Sequence, residues 1–74
     1  MSVQIIMDRS GDTRHEFDLA DAASVALAEE RFRQMTGKGF RAVALAPDGA
    51  GGSLLNKFDP KVDRTLFIPH LIGG

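Results

Sequence analysis

Few residues in this chain have both the type and the spacing to do chemistry. His15 and His70 are its only histidines. Neither has a second metal ligand at useful spacing, and catalysis through either needs a nucleophile held beside it. There is no cysteine, which excludes disulfides, thiolate metal sites and a cysteine nucleophile. Asp59 and Asp63 are close enough to suggest a carboxylate pair, but a turn bounded by Pro60 accounts for them more simply. The run Gly49-Ala50-Gly51-Gly52-Ser53 lacks the Gly-Lys-Ser/Thr ending of a phosphate loop, and no long helix follows it. It reads as a loop. No enzyme constellation emerges, and no bound metal or cofactor is expected.

The last residues, Leu66-Phe67-Ile68-Pro69-His70-Leu71-Ile72-Gly73-Gly74, stand apart. At average glycine usage a diglycine at a given place arises by chance with a probability of about half a percent. Its context is also unusual, because an apolar strand leads into it without a charged or serine-rich tail. Leu71 and Ile72 lie beyond the proline, where they are expected to be too exposed for core, and exposed apolar residues suggest a docking surface.

The elements that must carry this terminus are legible in outline. Seventy-four residues make one domain with room for a single sheet-and-helix core, too small for an enclosed substrate pocket. The net charge of −1 and scattered basic residues give no footprint for nucleic acid or an anionic membrane. Tyrosine and tryptophan are absent, which weakens any base-stacking reading. No apolar run reaches membrane-spanning length and no signal segment is evident, so the cytoplasm is expected. Val3 to Asp8 is rich in β-branched residues, with Val3, Ile5 and Met7 sharing one face. After a turn at Arg9 to Asp12, Thr13 to Leu19 alternates, with His15, Phe17 and Leu19 on one side; together these runs predict a hairpin. Asp21 is a candidate N-cap for a helix from Ala22 to about Met35, with a core stripe of Ala22, Val25, Ala28, Phe32 and Met35. Glu29, Glu30, Arg31, Arg33 and Gln34 read as its solvated face, and Gly37 as its C′ residue. Further strands are expected at Phe40–Leu45, Leu54–Phe58 and Thr65–Ile68, with a mobile loop over Pro47–Ser53. Pro69 should stop the last strand. The order predicts an α+β domain with one helix across one face of a mixed sheet of four or five strands.

The run Asp63 to Gly74 resembles the C-terminal strand and tail of the β-grasp sulfur carriers, notably the small subunit of molybdopterin synthase, which end in an aspartate, an apolar strand, Phe-Pro-Pro and Gly-Gly. Ubiquitin and its relatives end similarly. His70 departs from the first group, standing where a second proline is usual. The resemblance implies a ubiquitin-like β-grasp domain over residues 1–70, with its first and last strands parallel and central, and a flexible tail over 71–74. It implies a monomeric carrier, not an enzyme, whose Gly74 carboxylate is adenylated by a partner enzyme that uses ATP, with Gly73 giving access to a narrow channel. Ile68, Leu71 and Ile72 are the expected contacts with that activating enzyme; the plainer alternative is that Ile68 is core and Leu71-Ile72 frays. Three readings stand: a modifier conjugated to target proteins, a thiocarboxylate sulfur carrier serving a sulfur-accepting enzyme, and a non-covalent β-grasp adaptor. If the tail is an exposed handle, backbone order parameters on the ps–ns scale should fall from Thr65–Ile68 toward Gly74; equal rigidity in the free protein would exclude that role.

Overall fold

The computed structural model describes residues 1–46 and 51–69. Its elements are β1 (Ser2–Asp8), β2 (Gly11–Phe17), α1 (Ala22–Gly37), β3 (Phe40–Leu45), β4 (Gly52–Leu55) and β5 (Arg64–Pro69). The strands form one mixed sheet in the order β2-β1-β5-β3-β4, with α1 packed on one face. β1 and β5 are parallel and the other pairs antiparallel. This is the predicted α+β architecture, and its topology is compatible with a β-grasp fold.

Several boundaries differ from the sequence expectation. β2 ends at Phe17, leaving Leu19 exposed beyond it. At the hairpin, Asp8 and Gly11 flank Arg9-Ser10, and Gly11 takes a φ of 118° that disfavours a side chain. The Asp8 carboxylate accepts from the Ser10 hydroxyl at 2.6 Å and the Ser10 amide at 2.8 Å, which lowers its pKa. Asp21 caps α1 as expected, accepting from the amides of Ala23 and Ser24. The helix runs two residues past Met35, however. Gly37 closes its last turn, Lys38 is the C-cap, and Gly39, at a φ of 96°, takes the left-handed position assigned to Gly37.

β4 also begins earlier than expected. Gly52 and Ser53 belong to the strand, not to a loop, and Asn56 to Phe58 lie beyond its end. A side chain at Gly52 would place Cβ 2.6 Å from Val43 Cγ1 and 2.9 Å from the Ala44 carbonyl oxygen. Only glycine lets β4 approach β3 this closely. Phe58 uses its freedom from the strand to turn inward, its ring centroid 5.9 Å from that of Phe17 and 6.0 Å from that of Phe32.

The core lies between α1 and one face of the sheet. It contains Ile6, Phe32, Met35, Ala42 and Phe67, with Phe40, Leu55 and Phe58 packed around them. Of the expected helix stripe, Ala28, Phe32 and Met35 are buried, Val25 is half-buried, and Ala22 is exposed. On β1 the helix covers Ser2, Gln4 and Ile6, so Val3, Ile5 and Met7 share the opposite face. The fully buried Gln4 ties sheet to helix: its Nε2 donates to the Ala28 carbonyl at 2.9 Å, and its Oε1 accepts from Arg31 Nη1 at 2.9 Å. Arg31 is therefore half-buried and points inward, not part of the solvated face to which the sequence assigns it. A carbonyl can only accept and a guanidinium only donate, so the amide has one consistent orientation.

Two glycines give opposite expectations. Gly37 sits in the helix with nothing within 4 Å of an added Cβ, so Gly37→Ala should stabilise by about 0.5–1 kcal/mol. Gly52→Ala forces Val43 and the strand backbone aside and should destabilise by about 1–3 kcal/mol. Urea denaturation of both variants checks the pair.

Candidate functional site

β5 is the last described element ahead of the expected reactive end. β5 runs between β1 and β3, pairing Val3 with Arg64 and Ile6 with Phe67 on one side, and Arg41 with Ile68 and Phe40 with Pro69 on the other. Pro69 is the last residue of the strand, one later than expected. It sits past the end of the parallel ladder, which closes at Ile6 and Phe67, so its missing N–H interrupts no pairing with β1. Gly73 and Gly74, expected as the reacting tail, and Leu71 and Ile72, expected as contacts, lie outside the described residues, as does His70.

Ile68 is the expected contact residue that the structure places. It is 37% exposed, whereas its neighbour Phe67 has no exposed surface. Alternation explains the contrast, since Phe67 points under α1 and Ile68 to the uncovered face. The plainer reading of Ile68 as core is therefore set aside.

The strand pairing defines the rest of that face. Leu54, Val43, Leu66, Ile5 and Arg14 align in a row across all five strands, and Leu45, Arg64, Val3 and Glu16 form a parallel row. The first row is apolar across four strands, with Leu54 exposed and Val43, Leu66 and Ile5 half-buried. Charges interrupt or border it at Arg14, Glu16, Arg41 and Arg64. The sequence reading found Ile68 but missed this row. The odd-numbered apolar residues of β1 were the available signal, since their alternation leaves one apolar face for whichever layer or partner covers it.

The remaining chemical candidates have structural roles. Asp59 accepts from the Lys61 amide at 2.9 Å through its carboxylate and from the Val62 amide through its carbonyl, closing the turn expected at Pro60. The Asp63 carbonyl accepts from the Val3 amide at 2.9 Å, extending the contact between the chain ahead of β5 and β1. His15 lies opposite Gln4 on β2 and is half-buried beside the helix. Among the described residues no group of acidic residues and histidines is arranged to hold a metal ion, and no helix is long and apolar enough to cross a membrane. A groove of about 380 Å³ separates α1 from the segment after β4, lined by Phe32, Arg33, Thr36, Lys57 and Phe58 among others, on the opposite side of the sheet from Ile68.

No family model, curated protein or solved structure matches the chain.

Adjacent residues on β5 should respond differently to truncation. Phe67→Ala removes a fully buried ring and should cost about 3–5 kcal/mol, a large share of the stability of a small domain. Ile68→Ala should cost less than about 1 kcal/mol. Thermal and urea unfolding of the two variants test the assignment of faces.

Proposed function

We propose that this protein is a ubiquitin-like β-grasp carrier whose Gly74 carboxylate is adenylated by an activating enzyme for transfer to target proteins. The observation that carries the reading is the position of β5: a central strand, parallel to β1, that holds the buried Phe67 and precedes the diglycine in sequence. A strand anchored on both sides gives a following segment a rigid base from which to reach a partner's nucleotide. The uncovered row of Leu54, Val43, Leu66 and Ile5, with Ile68 beside it, supplies a surface for that partner.

The chemistry follows from the carboxylate. Delocalised negative charge makes it a poor electrophile. Attack of a Gly74 carboxylate oxygen on the α-phosphorus of ATP forms the acyl-adenylate and releases pyrophosphate. An enzyme thiolate then attacks the acyl carbon, AMP leaves, and the resulting thioester passes to a lysine amine as an amide, returning the thiol. This protein contributes the acyl group and the recognition surface, while catalysis belongs to the partner. Gly73 has no Cβ, which suits passage through a narrow channel.

The sulfur-carrier reading shares the adenylate but ends with attack of hydrosulfide on the acyl carbon, which expels AMP and leaves a terminal thiocarboxylate. Phe67 and Pro69 favour it, because the first anchors the strand and the second terminates it in the pattern that such carriers resemble. A non-covalent adaptor would need neither step.

Pyrophosphate exchange with a candidate activating enzyme that binds the protein tests the proposal. Deleting Gly74 should abolish exchange, and Gly73→Val should impair it while the unfolding transition stays unchanged. Activity unaffected by both changes would leave the adaptor. Intact-mass analysis separates the other two outcomes: a mass gain equal to one sulfur-for-oxygen exchange marks the sulfur carrier, and an adduct with a target lysine marks the modifier.

A further inference from the structure

Gln4 and Arg31, with the half-buried His15 beside Gln4, form a small polar cluster that the proposed carrier chemistry does not use. Gln4 is fully buried and spans from the Ala28 carbonyl to Arg31. His15 is its direct partner across the β1–β2 ladder, so the two side chains project to the same face of the sheet, the one that α1 covers. We propose that this cluster is an acid-sensitive latch between α1 and the β1–β2 hairpin, opened when His15 takes up a proton.

The argument starts from the charges around the imidazole. From α1 the charged group acting on His15 is Arg31. From β1 the neighbours on the same face are Ser2, Gln4 and Ile6, all uncharged. On β2, Thr13 and Phe17 share its face without charge, while Asp12, Arg14 and Glu16 point to the other side of the sheet. The Asp18 carboxylate, just after the strand, accepts from the Ala20 amide. No carboxylate among these neighbours on its face is placed to receive a histidinium. Protonation would add a second cation within the electrostatic reach of Arg31 at a half-buried site.

Arg31 then has reason to swing away. Doing so removes its donation to Gln4 Oε1 and leaves that oxygen buried without a partner, which is costly in a low-dielectric setting. The latch thus converts one proton into the loss of a helix–sheet tie. Partial burial first, and Arg31 second, hold the His15 pKa below its ordinary 6.5. The unfolded state therefore binds the proton more readily. The stabilisation is fully present above the unfolded value and declines as pH falls from there through the folded pKa.

Amide hydrogen exchange between about pH 7.5 and about pH 5.5, corrected for intrinsic exchange, reads this directly. In the wild type, protection across α1 and the hairpin should fall over that interval. In His15→Gln, which is neutral throughout, it should remain flat. NMR titration of His15, told from His70 by the same variant, should give a pKa below 6.5 that rises in Arg31→Met. Should His15→Gln prove too unstable, His15→Asn carries the same criterion. An identical fall in protection with histidine removed, a His15 pKa at or above its ordinary value, or a pKa unmoved in Arg31→Met would each overturn the latch.

Discussion

Phe67 has no exposed surface, and the arrangement of the chain on both sides of it follows from that burial. Its ring meets Phe32 of the helix at a centroid distance of 5.8 Å, nearly edge-on. Phe32 in turn meets Phe58, and Phe58 meets Phe17, so rings from β5, α1, the segment after β4 and the end of β2 form a continuous chain. Such contacts contribute beyond the area they bury. With no cysteine and so no disulfide to staple it, a domain of this length depends on packing of this kind. One turn toward the N-terminus on the same face of the helix, Gln4 adds a directional contact to the Ala28 carbonyl that apolar packing lacks. The aromatic chain fixes depth, and the amide fixes rotation and register of α1 against β1.

One helix can cover only one face of a five-stranded sheet. The covered face contains Leu55, Ala42, Phe67, Ile6 and Thr13 in one row and Ser53, Ala44, Thr65, Gln4 and His15 in the next. The uncovered face is nearly as apolar along its central row. That symmetry is unusual for a sheet with one solvated side, where alternation normally gives polar residues to water. Arg14, Arg41 and Arg64 border the row and keep it from being a uniform apolar patch. Its central position beside the exit of β5 is what relates the fold to the proposed carrier role.

The fold was legible because its signals were local. Gly11 marked the hairpin turn, Asp21 the helix start, and Phe40 to Leu45 a strand with the right composition. Boundaries that depend on tertiary contact were not legible. Gly37 and Gly39 are both plausible helix terminators, and only the carbonyls of Gln34, Met35 and Thr36, accepting from Lys38 and Gly39, decide between them. Gly52 looked like loop because its lack of a side chain suggests freedom, whereas here it permits close strand contact. Arg31 looked like solvent-facing charge because its inward partner lies 27 residues away in sequence. Gln4 carried a signal that could have been read: a polar residue within an otherwise apolar strand needs a buried partner or an open face. For the candidate site, Ile68 followed from alternation, while the row around it required the strand order.

The central position of β5 also sets the order in which the chain can assemble. The β1–β2 and β3–β4 hairpins each close over short stretches of sequence, but no strand pairing joins them directly. Until Arg64–Pro69 arrives between them, one edge of β1 and one edge of β3 present unpaired backbone and the apolar side chains of Ile6 and Ala42. Where the two hairpins form before β5 docks, the sheet stays split between them. Pairing Val3 with Arg64 closes nearly the whole chain into a loop, a contact of the kind that slows folding. During that interval the unpaired edges are open to strands of other chains. The strand that precedes the terminus is thus also the keystone, because no other strand joins the two hairpins into one sheet.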